Sequence, residues 1–97
     1  MAIEVRQTAE FENWLRRLKD ANAYARIVGR IRRMEQGNPG DAKGVGGGIM
    51  EMRIDYGPGY RVYYVQQGRA IVLLLCAGTK QTQDNDVRRA RELAERL

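Results

Sequence analysis

The chain has 97 residues, a length that suits one domain with a single modest core. Lys and Arg number 17 against 12 Asp and Glu, and this +5 balance points to polyanionic partners: RNA, DNA or an acidic protein. With no histidine and one cysteine, a zinc site and a His-based catalytic triad are excluded.

Cys76 lies in the apolar run Ile71 to Cys76 and reads as a buried, inert thiol, so any chemistry must rest on Arg, Lys, Tyr and carboxylates. No segment approaches the roughly 20 apolar residues that span a bilayer, and the N-terminus lacks the apolar core of a signal peptide. A cytoplasmic protein with no membrane partner is expected.

Ala2 to Gln7 alternates, with Ile3 and Val5 on one face and Glu4 and Arg6 on the other, which predicts a strand. Thr8 is placed to cap a helix through about Asp20, with Phe11, Trp14, Leu15 and Leu18 as its buried face. A second helix is expected from about Asn22 to Gln36, with Tyr24, Ile27, Val28, Ile31 and Met34 as its apolar stripe. The short link between them predicts a helical hairpin. Arg26, Arg30, Arg32 and Arg33 read as its solvent side, or as a broad phosphate contact.

Gly37 to Gly48 is dense in glycine and reads as a flexible loop; it lacks the Gly-Lys-Ser/Thr ending of a nucleotide-binding loop. Ile49 to Asp55, Tyr60 to Gln66 and Ala70 to Ala77, separated by turns at Tyr56 to Gly59 and Gln67 to Arg69, predict three antiparallel strands in a meander. The last is apolar on both faces, so a central position with helices over one side is expected. Thr82 or Asp84 can cap a final helix carrying Val87, Ala90, Leu93, Ala94 and Leu97. The order is β-α-α-β-β-β-α, an α+β fold with a helical hairpin on a small, mainly antiparallel sheet, a C-terminal helix, and one domain over 1–97.

Polarity fixes the hairpin register. Pairing Ile54 with Tyr60, Met52 with Val62 and Met50 with Tyr64 gathers apolar residues on the helix side, whereas a one-residue slip mixes the faces. The other face then sets Arg53 opposite Arg61 and Glu51 opposite Tyr63. Facing arginines repel, and the diagonal Glu51 or a visiting anion would offset that cost. Lys80, after the last strand, can reach the same face. Arg53, Arg61 and Lys80 with Tyr63 among them would bind a phosphodiester and stabilise charge developing on it. The bland alternative is a solvated outer face.

Met52-Arg53-Ile54, Gly59-Tyr60-Arg61-Val62-Tyr63-Tyr64 and Ile71 to Leu75 followed by Lys80 resemble the signature of RelE/HigB-type toxins. The runs Glu51 to Tyr64 and Thr79 to Asp86 resemble the subgroup called addiction-module killer proteins. The resemblance spans nearly the whole chain in order and spacing. It implies a bacterial toxin of a type II toxin–antitoxin pair that cuts mRNA on the translating ribosome, with the N-terminal strand paired to the last strand.

By the same resemblance, Arg61 stabilises the scissile phosphate, while Arg53 and Lys80 are the basic residues around it. No metal or other cofactor is needed, because the 2′-OH of the RNA itself attacks phosphorus. Glu51 stands where some members carry a second lysine. The C-terminal tyrosine or histidine that donates a proton in others is not apparent, and Asp84, Asp86 and Tyr63 are the candidate replacements. The partners implied are a cognate antitoxin, expected to be a helix-turn-helix protein, and the mRNA and ribosome. Two other readings fit the resemblance: a non-catalytic toxin of this fold that inhibits a protein target such as DNA gyrase, and an inactive antitoxin-binding co-repressor.

Overall fold

The computed structural model describes residues 2–97. Strand β1 (Glu4–Gln7) leads into helix α1 (Ala9–Arg17) and, after three residues, helix α2 (Ala21–Glu35). Strands β2 (Ala42–Gly44), β3 (Ile49–Ile54), β4 (Tyr60–Gln67) and β5 (Ile71–Thr79) follow. A single 3-10 turn (Lys80–Thr82) then opens into helix α3 (Gln83–Glu95).

Both early helices start on a side-chain cap. The Thr8 hydroxyl accepts from the Phe11 amide at 3.0 Å, and the Asp20 carboxylate accepts from the amides of Asn22 and Ala23 at 2.9 and 3.2 Å. Those amides, Ala23 foremost, hold the Asp20 carboxyl below its ordinary pKa. Helix α1 ends at Arg17, three residues before the expected Asp20, because Asp20 already serves as the cap of α2.

The five strands form one sheet in the order β1-β5-β4-β3-β2, in which β1 runs parallel to β5 and all other neighbours are antiparallel. Strand β2 corrects the reading of Gly37 to Gly48 as a loop without structure. Ala42, Lys43 and Gly44 pair with Met52, Glu51 and Met50. Glycine lowers strand propensity without forbidding an edge strand, and a partner as regular as β3 supplies the ladder.

The meander therefore has four strands. The middle strand of the whole sheet is β4, and β5 sits between β4 and β1.

Helices cover both faces of the sheet, not one. On the first face, α1 and α2 pack Phe11, Ile27, Ile31 and Met34 against Met52, Val62, Tyr64 and Leu74. On the second, α3 packs Ala90, Val87 and Leu93 against Ile49, Tyr63, Val65 and Leu75. This is why β5 is apolar on both sides. The pairing of β4 with β5 shifts between Tyr63 and Tyr64, opposite Cys76 and Leu74 respectively. Leu75 is the extra residue of this bulge. Its carbonyl accepts the Thr8 hydroxyl at 2.6 Å, so the cap of α1 is anchored on the irregularity. Among the described residues, no helix is long and apolar enough to cross a membrane.

Candidate phosphate-binding cleft

The expected register of β3 and β4 is the observed one: Ile54 with Tyr60, Met52 with Val62, Met50 with Tyr64, Arg53 with Arg61 and Glu51 with Tyr63. Arg53 and Arg61 open onto a cleft of about 450 Å³ together with Lys80. Asp41, Ile54, Asp55 and the turn Gly57-Pro58-Gly59 complete its wall.

Gly59 assembles the cations. Its carbonyl accepts the Arg61 Nη1 donor and the Lys80 backbone amide, both at 2.8 Å. The residue adopts φ +79°, a left-handed conformation that suits glycine, and a Cβ there would stand 3.0 Å from Arg61 Nη1. The turn thus brings β4 and the end of β5 to one point.

Arg53 is tied to Asp41 by a 3.0 Å contact from Nη2 to Oδ1, and this hydrogen bond holds its guanidinium proton more tightly than usual. Asp41 comes from the residue just before β2, so the unexpected strand supplies a counter-ion to the cleft. Behind β3, Arg30 donates to the carbonyls of Arg53, Pro39 and Asp41 at 2.6, 2.9 and 3.3 Å. It braces the strand ends from the α2 side, whereas the sequence pattern reads it as a solvent-facing or phosphate-contacting residue. Arg26 lies 4.7 Å over the Tyr56 ring, and Arg32 and Arg33 are exposed.

Tyr63 and Glu51 are not on an open face. Both are fully buried beneath the start of α3. The Tyr63 hydroxyl donates to Glu51 Oε2 at 3.0 Å, and Gln83 Nε2 donates to the same oxygen at 2.7 Å. Burial, and then the bond to Glu51, raise the phenol's pKa well above the ordinary tyrosine range. Glu51 Oε2 lies 4.0 Å from Arg61 Nε, so the diagonal pairing inferred from the register is present. Asp84 is exposed in the first turn of α3 and does not line the cleft.

Asp86 accepts from the Thr82 hydroxyl at 2.5 Å, and burial raises its carboxyl pKa. It packs over Gly78: a Cβ on that glycine would meet Asp86 Oδ2 at 1.8 Å and Thr82 Oγ1 at 2.6 Å. Cys76 is buried as expected, and its thiol pKa is pushed up to about 12 by burial. Gln83 falls in the run Thr79 to Asp86, yet the sequence assigns it no role of its own, because a glutamine at a helix start is unremarkable until its partner is known.

Residues 13–97 match the family described as phage derived protein Gp49-like (DUF891). The chain belongs to the Gp49-like family.

That match contains the whole cleft, from Asp41 to Lys80, as well as α3. An uncharacterized Haemophilus influenzae protein is 48% identical over 97 residues, covering all of this chain and 98% of its own length. Among solved structures, a mutant of the Escherichia coli toxin RelE in the free state superposes with a TM-score of 0.68, over 92% of this chain and 98% of that one. At 13% identity this likeness concerns the fold: the Gp49-like chain has the RelE-like α+β architecture expected from its sequence.

Proposed function

We propose that this Gp49-like protein is the toxin of a type II toxin–antitoxin pair, of the RelE/HigB type and its addiction-module killer subgroup. In this reading it is a cytoplasmic, metal-independent endoribonuclease that cuts mRNA on the translating ribosome. The observation that carries it is the meeting of Arg53, Arg61 and Lys80 in one open cleft. Like charges this close cost stability, which a bound anion would recover. A scissile phosphate is an anion that fits the free ends of two guanidinium groups and an ammonium.

In the reaction, the 2′-oxygen of the RNA attacks the adjacent phosphorus and loses its proton to a base, with water as the base this reading uses. The P–O5′ bond breaks, leaving a 2′,3′-cyclic phosphate and a 5′-hydroxyl. Arg61, held by Gly59, stabilises the charge that grows on the non-bridging oxygens, and Arg53 shares it. In this reading Lys80, exposed at the rim, would supply the proton that the departing 5′-oxygen takes up. Tyr63 and Glu51 lie buried behind Arg61 and do not line the cleft, and Asp84, also outside it, reaches the RNA only if the strand extends over α3. The cognate antitoxin, expected to be a helix-turn-helix protein, would neutralise the toxin by covering this basic cleft.

The test is induced expression of wild type and Arg61→Ala, followed by mapping of mRNA 5′ ends. New ends within translated frames for the wild type alone support the reading. Growth arrest without new ends would redirect it to a protein target such as DNA gyrase. No arrest at all would point to an inactive co-repressor.

A further inference from the structure

We propose that Gln83 is a positioning residue, which together with Glu51 links the first turn of α3 to Arg61, so that the seating of that helix sets the direction of the Arg61 guanidinium. This deepens the ribonuclease reading above and rests on it.

Three groups from two elements, α3 and β4, meet at one carboxylate oxygen of β3. Glu51 Oε2 accepts Gln83 Nε2 from α3 at 2.7 Å and the Tyr63 hydroxyl from β4 at 3.0 Å, and it lies 4.0 Å from Arg61 Nε. The carboxylate is fully buried beside the apolar cluster of Ile49, Tyr63, Val65 and Leu75. Glu51 Oε1 and Arg61 Nε are both buried without a hydrogen-bond partner. A carboxylate in such a place costs stability relative to a packed apolar residue, and incomplete pairing adds to that cost. What the cost provides is a carboxyl group fixed directly behind the cleft.

The planar fork of Arg61 is held at one end by a hydrogen bond and faces a carboxylate at the other. Nη1 donates to Gly59 O at 2.8 Å, and Nε faces Glu51. The bond to Gly59 and the facing Glu51 carboxylate together bias the direction of this rigid plane, and Nη2 is left as the end that meets a ligand. The Gly59 anchor belongs to the turn. The Glu51 anchor has no backbone partner and keeps its own direction through Gln83 and Tyr63.

Gln83 suits this task by being a neutral donor. It holds the carboxylate without competing for its charge, whereas a lysine at 83 would draw Glu51 away from Arg61. Its backbone is placed by the lock at the start of α3, where the Thr79 amide donates to Thr82 Oγ1 at 3.1 Å and Thr82 Oγ1 donates to Asp86 at 2.5 Å. A shift of this turn therefore moves Gln83, then Glu51, then the guanidinium. Displacements of about 1 Å at a reacting centre are large enough to alter rates by an order of magnitude or more.

The experiment compares wild type with Gln83→Leu, which keeps the volume and removes the donor, and Gln83→Asn, which keeps the polarity and shortens the reach. Single-turnover cleavage of a reporter mRNA on translating ribosomes is measured against toxin concentration. The ¹⁵N resonance of Arg61 Nε is followed by NMR in the free protein.

In both variants the Arg61 Nε–H signal is expected to shift or broaden while thermal unfolding stays cooperative. The saturating cleavage rate is expected to fall about tenfold, with the half-saturating concentration moving less than about twofold. An unchanged Arg61 Nε–H signal in whichever variant folds would overturn the coupling. A changed signal with an unchanged rate would overturn the positioning role. Wild-type protein that cuts no mRNA would overturn the ribonuclease reading instead, and the NMR comparison would still decide the coupling.

Discussion

The side chain of Arg61 is only 12% exposed, so replacing it probes charge and packing together. Arg61→Ala is expected to lower cleavage by about 10²–10³-fold, the effect of losing one preorganised donor to a developing oxyanion. It is also expected to cost about 1–3 kcal/mol in urea unfolding, because Glu51 loses the cation it faces. Arg61→Lys restores the charge without the fork and should recover stability better than activity.

Gly59→Ala attacks the same group from the other anchor. A side chain at φ +79° is strained, and its Cβ 3.0 Å from Arg61 Nη1 must push the guanidinium aside. A loss of about 1 kcal/mol with a disproportionate fall in cleavage is the expected outcome.

Cys76 gives a pH signature. Its thiol is held protonated to about 12 in the folded protein, against 9.0 for an unperturbed group. Between those values the unfolded chain has lost a proton that the native state keeps, so stability falls as pH rises. Tyr63, also raised, adds to the same alkaline decline. Thermal unfolding from pH 8 to 11 should show the decline, and Cys76→Ala should flatten its lower part.

At the scale of elements, α3 is held to the sheet by a close approach at Gly78. Gly78→Ala must displace Asp86 or Thr82, since the new Cβ would stand 1.8 Å from Asp86 Oδ2. Overpacking of this kind costs about 1–3 kcal/mol. Faster amide exchange in the first turn of α3, with the exchange of α2 unchanged, is the measurement that locates the damage.

Much of this architecture was legible. The β3–β4 register followed from polarity alone, because a one-residue slip would have buried Arg61 against Ile54. The start of α1 was visible as Thr8, whereas Asp20, the cap of α2, reads as the end of α1 because helical spacing runs on through Leu18. The position of α3 was not. Its apolar residues show that it packs, but the doubly apolar β5 fits helices on either face or on both.

That ambiguity put Tyr63 and Glu51 on an open surface, where the fold buries them. The bulge at Leu75 was also invisible, since nothing in Leu73-Leu74-Leu75 separates one apolar residue from the next. Strand β2 was hidden by glycine, whose freedom says nothing about the partner strand beside it.

For the molecule as a whole, the +5 charge matters through its placement. Three cations share the cleft with two carboxylates, Asp41 and Asp55, and Asp41 is already engaged by Arg53. If three phosphates' worth of charge is neutralised on binding single-stranded RNA, the logarithm of affinity should fall with the logarithm of salt with a slope of about −2. Arg53→Ala should make that slope shallower by about 0.7. Fluorescence anisotropy with a short, uncleavable oligonucleotide is the direct check, and a slope unaffected by Arg53 would place the RNA elsewhere on the surface.

In the proposed reaction this cleft drives strand scission by the RNA's own 2′-hydroxyl, without metal. The end groups of the fragments test it most directly. Reporter mRNA is cut on translating ribosomes at constant magnesium, because ribosomes require that ion, and in parallel as metal-depleted free RNA. The 5′ ends are then assayed for phosphorylation by a kinase that acts only on a 5′-hydroxyl. Fragments with a 5′-hydroxyl and a 2′,3′-cyclic phosphate, absent with Arg61→Ala, are the expected result. Fragments bearing a 5′-phosphate, or free-RNA cleavage that appears only when a divalent metal is added back, would rule out this mechanism.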